Sequence, residues 1–281
     1  MEPAPRRLAR VRPLPAASAG EQFFVANGST DVTSPAGTLW TVVATPFPGS
    51  PANAGSAPRA GWEIGDHVTE ESFTFLAPCV PANVLGMAHN TGQAGRDMPP
   101  QAFHKAATSV IGPGDAIELP AGSGHVDPEA ELAIVVGTKA KSLTTANARS
   151  AVLGFTIGND VTSRDRQKTD ELWISAKSQD TFTPAGPWIV TGLDDSDLAI
   201  SIVHNGTHLR AASTADLGWK VDEILVYLTS FMTLHPGDLV LTGFPAESAP
   251  IVPGDTVTCR VEGIGELSNP VKAGSGEGFS A

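Results

Sequence analysis

The sequence predicts a mostly β protein of the α+β class, in which a rolled or sandwiched mixed sheet is accompanied by a few short helices. The 281 residues include 29 glycines and 23 prolines, together more than the roughly 12% of an average globular chain, and these residues mark frequent turns. Short apolar runs of strand length recur between the turns. The predicted strands and helices do not alternate regularly, so the sequence does not predict a parallel βαβ sheet.

The chain is predicted to have three parts: a small N-terminal domain at residues 1–76, a larger domain at residues 77–271 and a flexible tail at residues 272–281. The first part contains one clear apolar strand, at residues 39–44, and a long loop rich in Pro, Gly and Ser. Beyond it the apolar runs become more closely spaced, which indicates the main core. The tail is rich in Gly and Ser, as frayed termini often are.

Apolar runs bounded by turn residues predict the strands of the larger domain. The run at residues 132–136 ends at Gly137 and has the length of a buried strand. An Asn205-Gly206 pair between two runs predicts a two-residue hairpin. In chain order the predicted strands are residues 84–86, 132–136, 152–157, 188–190, 200–203, 208–210, 238–242 and 255–261.

Two stretches predict helices. Residues 222–232 have the clearer pattern, because apolar residues at 221, 224, 225, 228 and 232 share one helical face. Residues 144–152 predict a second, short helix.

The charge and cysteine counts exclude several classes of protein. Eighteen basic and 30 acidic residues give a net charge of −12, so no nucleic-acid partner is expected. Cys79 and Cys259 form no CxxC motif, which argues against a zinc finger or a disulfide scaffold, although one long-range bridge remains open. No apolar run approaches the ~18 residues of a membrane span, and no apolar stretch follows the basic N-terminal segment. We therefore expect a cytoplasmic protein without a membrane partner.

The most informative segment is residues 125–136, where Glu129 and Glu131 lead into an apolar run. Side chains alternate along a strand, so both carboxylates are predicted to point to the same face. Two carboxylates side by side near a core repel each other and resist desolvation, and a cation would relieve both effects. The alternative is a solvated strand edge that carries two surface glutamates.

A second segment, residues 154–167, predicts a strand that ends at Asn159-Asp160 and continues into a helical turn. On such a turn Asp160, Arg164 and Gln167 would share one face. The alternative for Asp160 is an ordinary helix N-cap.

Two further segments contain a polar residue beside a turn. Lys177 lies between small residues before a loop rich in Pro and Gly, and it could be an ordinary loop lysine. Thr242 begins a tight turn after a strand, where its hydroxyl could donate to a carboxylate, or the segment could be a plain turn.

The order and spacing of these segments resemble those of the fumarylacetoacetate hydrolase family, in its shared C-terminal domain. In that family an ExE pair is followed by ND…RD-x-Q, W…KS…GPW, an NG hairpin, and then PGD, TG-x-P and GIG motifs. The matching positions here are Glu129 and Glu131, then residues 159–167, 173–188, 205–206, 234–245, 253–255 and 263–269. The resemblance implies that family's rolled mixed sheet with few short helices.

The resemblance also implies a divalent metal, Mg²⁺ or Mn²⁺, held by Glu129, Glu131 and Asp160. The residue chemistry agrees with this, since three carboxylates without a cysteine cluster form an oxygen site suited to a hard cation.

By the same resemblance, further side chains face the substrate. Lys177 and Arg164 would offset the charge of the carboxylates, and Lys177 would support the negative charge that grows on an enolate. Lys105 matches a family F-x-K segment that closes over the site, or it is a surface lysine. The expected hydrogen-bonding residues are Gln167, Thr181 and Thr242.

The implied function is a metal-dependent hydrolase that cleaves a C–C bond in a small anionic 2-oxo or 1,3-diketo acid through a stabilised enolate. The same site could instead serve a decarboxylase, an isomerase or a dehydratase, because fold and metal do not determine the reaction. A family member that binds a ligand without catalysis is the alternative of another class. The resemblance further implies a homodimer.

One departure from the family pattern affects the reaction. Many relatives have a GLNY-x-x-H-x-x-E stretch, whose His and Glu lie on a lid and activate water. Here Gly92 stands at the histidine position and no Glu follows it. His89 and His125 are the candidate replacements, and for both the alternative is a structural or surface histidine.

Overall fold

The computed structural model describes residues 6–14, 21–27, 39–50 and 61–275. These residues form twenty β-strands and four short α-helices, which confirms the predicted mostly β class. In chain order the strands are β1 (Arg6–Pro13), β2 (Phe23–Asn27), β3 (Leu39–Val43), β4 (His67–Thr69), β5 (Phe73–Phe75), β6 (Val84–Ala88), β7 (Gln101–Lys105), β8 (Val110–Ile111), β9 (Ile117–Leu119), β10 (Val126–Asp127), β11 (Ala130–Val136), β12 (Val152–Asn159), β13 (Thr162–Ser163), β14 (Thr183–Thr191), β15 (Ala199–His204), β16 (Thr207–His208), β17 (Ala212–Ser213), β18 (Leu239–Leu241), β19 (Thr256–Val261) and β20 (Gly265–Ala273). The helices are α1 (Gly92–Asp97), α2 (Arg164–Thr169), α3 (Ile174–Lys177) and α4 (Val221–Phe231). Single 3₁₀ turns occupy Glu70–Ser72, Ala107–Ser109, Ala148–Ala151 and Thr214–Asp216.

The described strands form two sheets and a short ribbon. The large sheet has the order β4-β3-β2-β1-β14-β12-β11-β18-β6-β7, with β5 paired to β1 and β8 to β14. The smaller sheet has the order β16-β15-β19-β20-β9, with β17 paired to β15. The ribbon joins β10 to β13. Most pairs are antiparallel, whereas β6–β18, β8–β14 and β9–β20 are parallel.

The main core contains apolar side chains from both sheets and from helix α4. Ile134 of β11, Ile157 of β12, Ile202 of β15 and Leu267 of β20 are fully buried members of this core. Each such side chain contributes about 1.5–3 kcal/mol by leaving water. Strand β11 is buried along its whole length, as its continuous apolar run predicts.

The register brings four strand ends to one edge of the large sheet. The first residue of β11, Ala130, pairs with Asn159 at the end of β12. The end of β18 lies beside the first half of β11, through the pair Leu241–Ala133. Because β6 runs parallel to β18, its last residues reach the same edge. The segments that follow or precede these ends therefore meet there, although they are distant in sequence.

Most of the predicted elements are present, but two local predictions differ from the structure. The helix predicted at residues 144–152 is reduced to Ala148–Ala151, because the side chain of Asn147 accepts from the Thr144 amide (2.8 Å) and holds a turn there. Asp160 is not the cap of the helical turn, since β13 intervenes and Ser163 precedes α2. The Asn205-Gly206 hairpin is present, with positive φ at both residues (50° and 79°), as a primed turn requires.

The N-terminal strands continue the large sheet, since β1 pairs with β14. A cluster of aromatic rings joins the two parts, with Trp40 of β3 packed at 5.9 Å from Trp188 of β14. The first two residues of the predicted tail extend β20, which pairs with β9 as far as Ala273, and residues 276–281 lie outside the described residues. The domain boundaries at 76 and 271 remain predictions.

Two other features were open at the sequence level. Cys79 and Cys259 are both free and buried, so they form no bridge. The longest helix in the described part of the chain has 11 residues, and no described helix has the length and apolar character that a membrane span requires.

Candidate metal and substrate site

A cavity of about 170 Å³ lies at the edge where the strand ends meet. This volume is larger than a single water needs and smaller than the ~300–1,000 Å³ of typical ligand pockets, which suits a small substrate. Its charged lining comprises Glu129, Glu131, Asp160, Arg164 and Lys177. The rest of its lining comprises Met87, Ala88, His89, Asn90, Thr91, Phe103, Gln167, Trp173 and Phe244.

Three carboxylates line the bottom of the cavity, and we call them the acidic triad: Glu129, Glu131 and Asp160. One oxygen of each lies within 4.8 Å of the others. The ends of β11 and β12 position them, because the Asp160 amide donates to the Glu129 carbonyl (2.9 Å) and the Glu129 amide to the Asn159 side chain (2.9 Å). Glu129 and Glu131 lie on one face, as strand alternation predicts.

Three cations contact the triad. Lys105 is fully buried and donates to Asp160 Oδ1 (2.5 Å). Lys177 donates to Asp160 Oδ2 and also to Glu129 Oε2 (3.2 Å). Arg164 donates to Glu129 Oε1 (2.8 Å) and, through Nε, to Asp127 Oδ2 (2.7 Å).

The environments of the two buried carboxylates differ. Burial alone would raise the pKa of Asp160, but the ammonium groups of Lys105 and Lys177 outweigh it and hold that pKa below its ordinary value. Burial raises the pKa of Glu131 well above its ordinary value, and repulsion from Asp160 and Glu129 raises it further. The Gly243 amide donates to Glu131 Oε2 (2.6 Å) and offsets only part of this.

The two lysines also differ from each other. Burial lowers the pKa of Lys105, and its attraction to Asp160 does not restore it. Burial also opposes the charge of Lys177, but Asp160 and Glu129 together raise its pKa above the ordinary value. Lys177 therefore remains a charged ammonium at the bottom of the cavity.

The donor set fits a hard divalent cation. All three residues of the acidic triad offer oxygen, the ligand type that Mg²⁺ and Mn²⁺ prefer. Glu131 is 3% exposed and has no lysine bonded to it among the described residues. A cation at the triad would supply the positive charge that this carboxylate lacks.

The structure brings some of the predicted substrate residues together and separates others. Arg164 and Gln167 line the cavity and share a hydrogen bond (3.1 Å). Lys105 lies beneath the cavity, in contact with Asp160 rather than at the lining. Thr181 is outside the cavity, where its hydroxyl accepts from the Glu118 amide (2.8 Å).

Thr242 does not donate to a carboxylate as predicted, because its hydroxyl donates to the Leu132 carbonyl (2.9 Å). The backbone of the next residue contacts the carboxylate instead, through the Gly243 bond to Glu131. Gly243 has φ of 118°, and a Cβ there would lie 3.0 Å from the Asn90 carbonyl. The turn therefore requires glycine in order to bring this amide to Glu131.

The two candidate histidines lie in different places. His89 lines the cavity. The His125 side chain is 47% exposed and bonds to Asp127 (2.7 Å), outside the lining. The strand breaks at Pro128, between β10 and β11, so the alternation that would turn His125 toward the triad does not continue through it.

Several lining residues were not assigned to the site from the sequence, among them Phe103 and Trp173, which lie in the matched F-x-K and W…KS segments, and Asn90. Phe103 and Trp173 line the cavity, with their ring centroids 5.7 Å apart and Lys177 Nζ 4.4 Å from the Phe103 ring. Asn90 is buried and bonds to the Trp219 and Thr242 carbonyls (2.9 and 2.7 Å). These contacts join residues as far as 152 positions apart, and no local sequence pattern signals them.

Comparisons with known proteins identify related sequences and structures. The crystal structure of 5-carboxymethyl-2-hydroxymuconate delta-isomerase from Mycobacterium smegmatis is 36% identical, with a TM-score of 0.81 over 95% of this chain and 99% of that one. Oxaloacetate tautomerase fahd2, mitochondrial, of Xenopus laevis is 38% identical over 76% of this chain and 73% of its own. Maleylpyruvate hydrolase from Sphingobium sp. SYK-6, solved with manganese(II) and pyruvate, is 27% identical, with a TM-score of 0.67 over 75% and 78%.

These similar proteins are enzymes, and their reactions include isomerisation, tautomerisation and hydrolysis. The family model for the fumarylacetoacetate (FAA) hydrolase C-terminal domain matches residues 77–272. The match includes the acidic triad, Lys177 and the ends of β11 and β12. The chain therefore belongs to the fumarylacetoacetate hydrolase family.

Proposed function

We propose that this protein is a divalent-metal-dependent isomerase or tautomerase of a small 2-oxo acid, which moves a proton between carbon and oxygen or between two carbons. The observation that carries the proposal is the composition of the cavity. It combines an acidic triad suited to Mg²⁺ or Mn²⁺ with two cations, Lys177 and Arg164, and its described lining contains no carboxylate outside the triad.

The charges around the cavity support an anionic substrate. Four carboxylates, the triad and Asp127, face the three cations Lys105, Lys177 and Arg164. With all seven groups ionised, the cluster carries one net negative charge, and a bound dication would reverse its sign. A carboxylate substrate is then attracted rather than repelled. We therefore expect substrate binding to require the metal.

A bound dication would act as a Lewis acid on the 2-oxo group and its neighbouring carboxylate. The protein's own side chains would do the rest. Lys177, held by Asp160 and Glu129, keeps a fixed positive charge beside the oxygen on which negative charge grows. Arg164 can bind the substrate carboxylate while Asp127 keeps its guanidinium in place. Phe103 and Trp173 exclude water from one side of the ammonium.

Hydrolysis would need a group to activate water in addition to the base that moves the substrate's own proton. The family's lid histidine position is Gly92 here, and the acidic residues of the described lining all belong to the triad. The similarity to a delta-isomerase and to an oxaloacetate tautomerase supports proton transfer as the complete reaction.

C–C bond hydrolysis, the reaction first implied by the sequence, is the second candidate. The similarity to a maleylpyruvate hydrolase solved with manganese and pyruvate favours it. It would use the same metal and the same cations, with water activated by a group supplied on closure of the cavity. The homodimer and the cytoplasmic location also remain proposals.

The test is metal analysis of the purified protein, followed by assays with oxaloacetate, an acylpyruvate and a 2-hydroxymuconate-type dienoate. Products are identified by mass and by NMR, with and without EDTA. The proposal expects an isomer of unchanged mass, formed only with metal. Two acid fragments would favour hydrolysis, and release of CO₂ would favour decarboxylation. Tightly bound metal without turnover on any of these compounds would favour a binding protein.

A further inference from the structure

His89 follows β6, at the edge of the sheet where the acidic triad lies. It is the only histidine among the described residues that line the cavity. Its side chain is exposed to solvent, and no described residue hydrogen-bonds to the ring. An imidazole in this position can exchange protons with water and still reach a molecule bound in the cavity.

The backbone holds His89 in an uncommon conformation. Its φ is 55°, in the left-handed region that costs a non-glycine residue energy. The first turn of α1 closes around its carbonyl, which accepts from the Thr91 amide (2.8 Å). A Cβ on Gly95 would lie 2.3 Å from the same carbonyl, so glycine there permits this close turn. Strained residues that the surrounding structure maintains are concentrated at functional sites.

The ring itself is positioned by an aromatic contact. Its centroid lies 5.4 Å from Trp173 in an edge-to-face arrangement. Trp173 has φ of 58° and packs on Phe103, and Lys177 Nζ lies over both rings, at 5.9 and 4.4 Å. The imidazole and the ammonium therefore lie beside the same pair of packed rings, Trp173 and Phe103. In the described structure, neither ring nitrogen of His89 has a hydrogen-bond partner.

The other bases of the cavity are occupied. Lys177 is a charged ammonium bonded to two carboxylates. The acidic triad would be engaged by the cation, and Gln167 has no basic group. His89 is the remaining side chain in the described lining that offers a nitrogen base.

We propose that His89 carries the proton in the reaction, an inference that rests on the proposed function. The neutral imidazole takes a proton from C3 of the 2-oxo acid. The C–H electron pair becomes the C2–C3 double bond, and the carbonyl π pair moves to the C2 oxygen. The imidazolium then returns a proton to that oxygen in tautomerisation, or to a carbon further along the conjugated chain in isomerisation. Protons and electrons balance without an oxidant or another reactant.

The test is exchange of the C3 protons of pyruvate for deuterium, followed by ¹H NMR in D₂O with Mg²⁺. The variant His89→Asn suits this position, because asparagine tolerates the left-handed backbone and cannot act as a base at neutral pH. We expect His89→Asn to slow exchange about 10²–10⁴-fold, with Mg²⁺ affinity unchanged by calorimetry. The matched control is His235→Gln, since His235 is exposed and follows α4 at the opposite end of β18. We expect it to exchange at the wild-type rate.

A second variant separates proton transfer from positioning. We expect His89→Ala to lose exchange and to regain a measurable part of it when imidazole is added, because a free base can occupy the vacated place. Wild-type exchange in His89→Asn, or no rescue of His89→Ala at any imidazole concentration, would overturn the assignment of His89 alone. A wild-type protein that binds Mg²⁺ and exchanges no C3 proton would overturn the proposed function together with it.

Discussion

The bottom of the cavity and its rim are built in different ways. The bottom consists of the acidic triad with Lys105 and Lys177; Glu131, Asp160 and both lysines are buried, and each lysine is paired with at least one carboxylate. The rim segment, residues 89–99, is exposed except at Asn90 and Gly95, and its only helix has six residues. Under the proposed function, the bottom would bind the metal and the charged substrate, and the rim would determine which reaction follows.

The largest effect is expected from Asp160→Asn, which changes one charge at the bottom and almost no volume. Among the described residues, Lys105 would keep no carboxylate bonded to it, and losing one member of a buried ion pair costs about 3–5 kcal/mol. We expect lower thermal stability without metal, and metal affinity lowered at least about 100-fold, measured by calorimetry. The control is Asp165→Asn, whose carboxylate is 55% exposed and whose variant should bind metal normally. Unchanged metal titration by Asp160→Asn would exclude Asp160 as a ligand.

The sequence predicted the residues at the bottom of the cavity better than those at its rim. Alternation along β11 put Glu129 and Glu131 on one face, and the end of β12 put Asp160 near them. The same reasoning failed for His125, because Pro128 interrupts the strand and alternation no longer applies. It failed for Thr242 because a turn at positive φ presents the backbone of Gly243 instead.

The rim could not be predicted in the same way. Its structure depends on contacts between distant segments, such as the bonds of Asn90 to Trp219 and Thr242. A buried asparagine is marked neither by the spacing of apolar residues nor by a pattern of charged residues. The lid motif of the family was absent, which indicated that something differs there but not what replaces it. Long-range packing, rather than local propensity, determines this region.

Glu131→Gln should keep or raise the stability of the metal-free protein and should lower its metal affinity. The pKa of Glu131 is raised in the folded protein, so its ionised form opposes folding, and this penalty grows as pH rises through that pKa. A neutral glutamine removes the penalty. We expect the metal-free variant to be at least as stable as the wild type at neutral pH, measured by thermal unfolding, with metal affinity reduced at least about tenfold. A metal-free variant that melts below the wild type would mean that the Glu131 charge is already compensated without a cation.

Lys177→Ala is expected to reduce catalysis while the metal stays bound. Removing a preorganised charge beside the developing oxyanion costs about 10²–10³ in kcat. Steady-state kinetics together with metal analysis measure both effects. Lys168→Ala is the matched control, because its side chain is 73% exposed and pairs only with the exposed Asp165 in the described structure. Unchanged kinetics in Lys177→Ala would rule out its role in charge stabilisation.

Asn90→Ala should produce the smallest of these effects and the one most specific to the rim. Its amide donates to the Trp219 and Thr242 carbonyls, and its oxygen accepts from the Trp219 amide (2.6 Å). Leaving those buried groups unpaired costs about 1–3 kcal/mol. Since the bottom of the cavity is untouched, this cost should lower the fraction of molecules whose rim has the observed structure, with kcat/KM lowered about tenfold.

Hydrogen exchange of the rim amides should become faster in Asn90→Ala, while calorimetric metal affinity should equal that of the wild type. Gln93→Ala is the control within the same segment, because the side chain of the exposed Gln93 bonds, within the described part of the chain, only to Asp97 of its own helix. If Asn90→Ala weakened metal binding as strongly as catalysis, the rim and the bottom of the cavity would form a single cooperative unit. The chemistry of the rim could then not change independently of the metal site. Equal metal affinity with slower catalysis would instead show that the rim affects the reaction independently of the metal site.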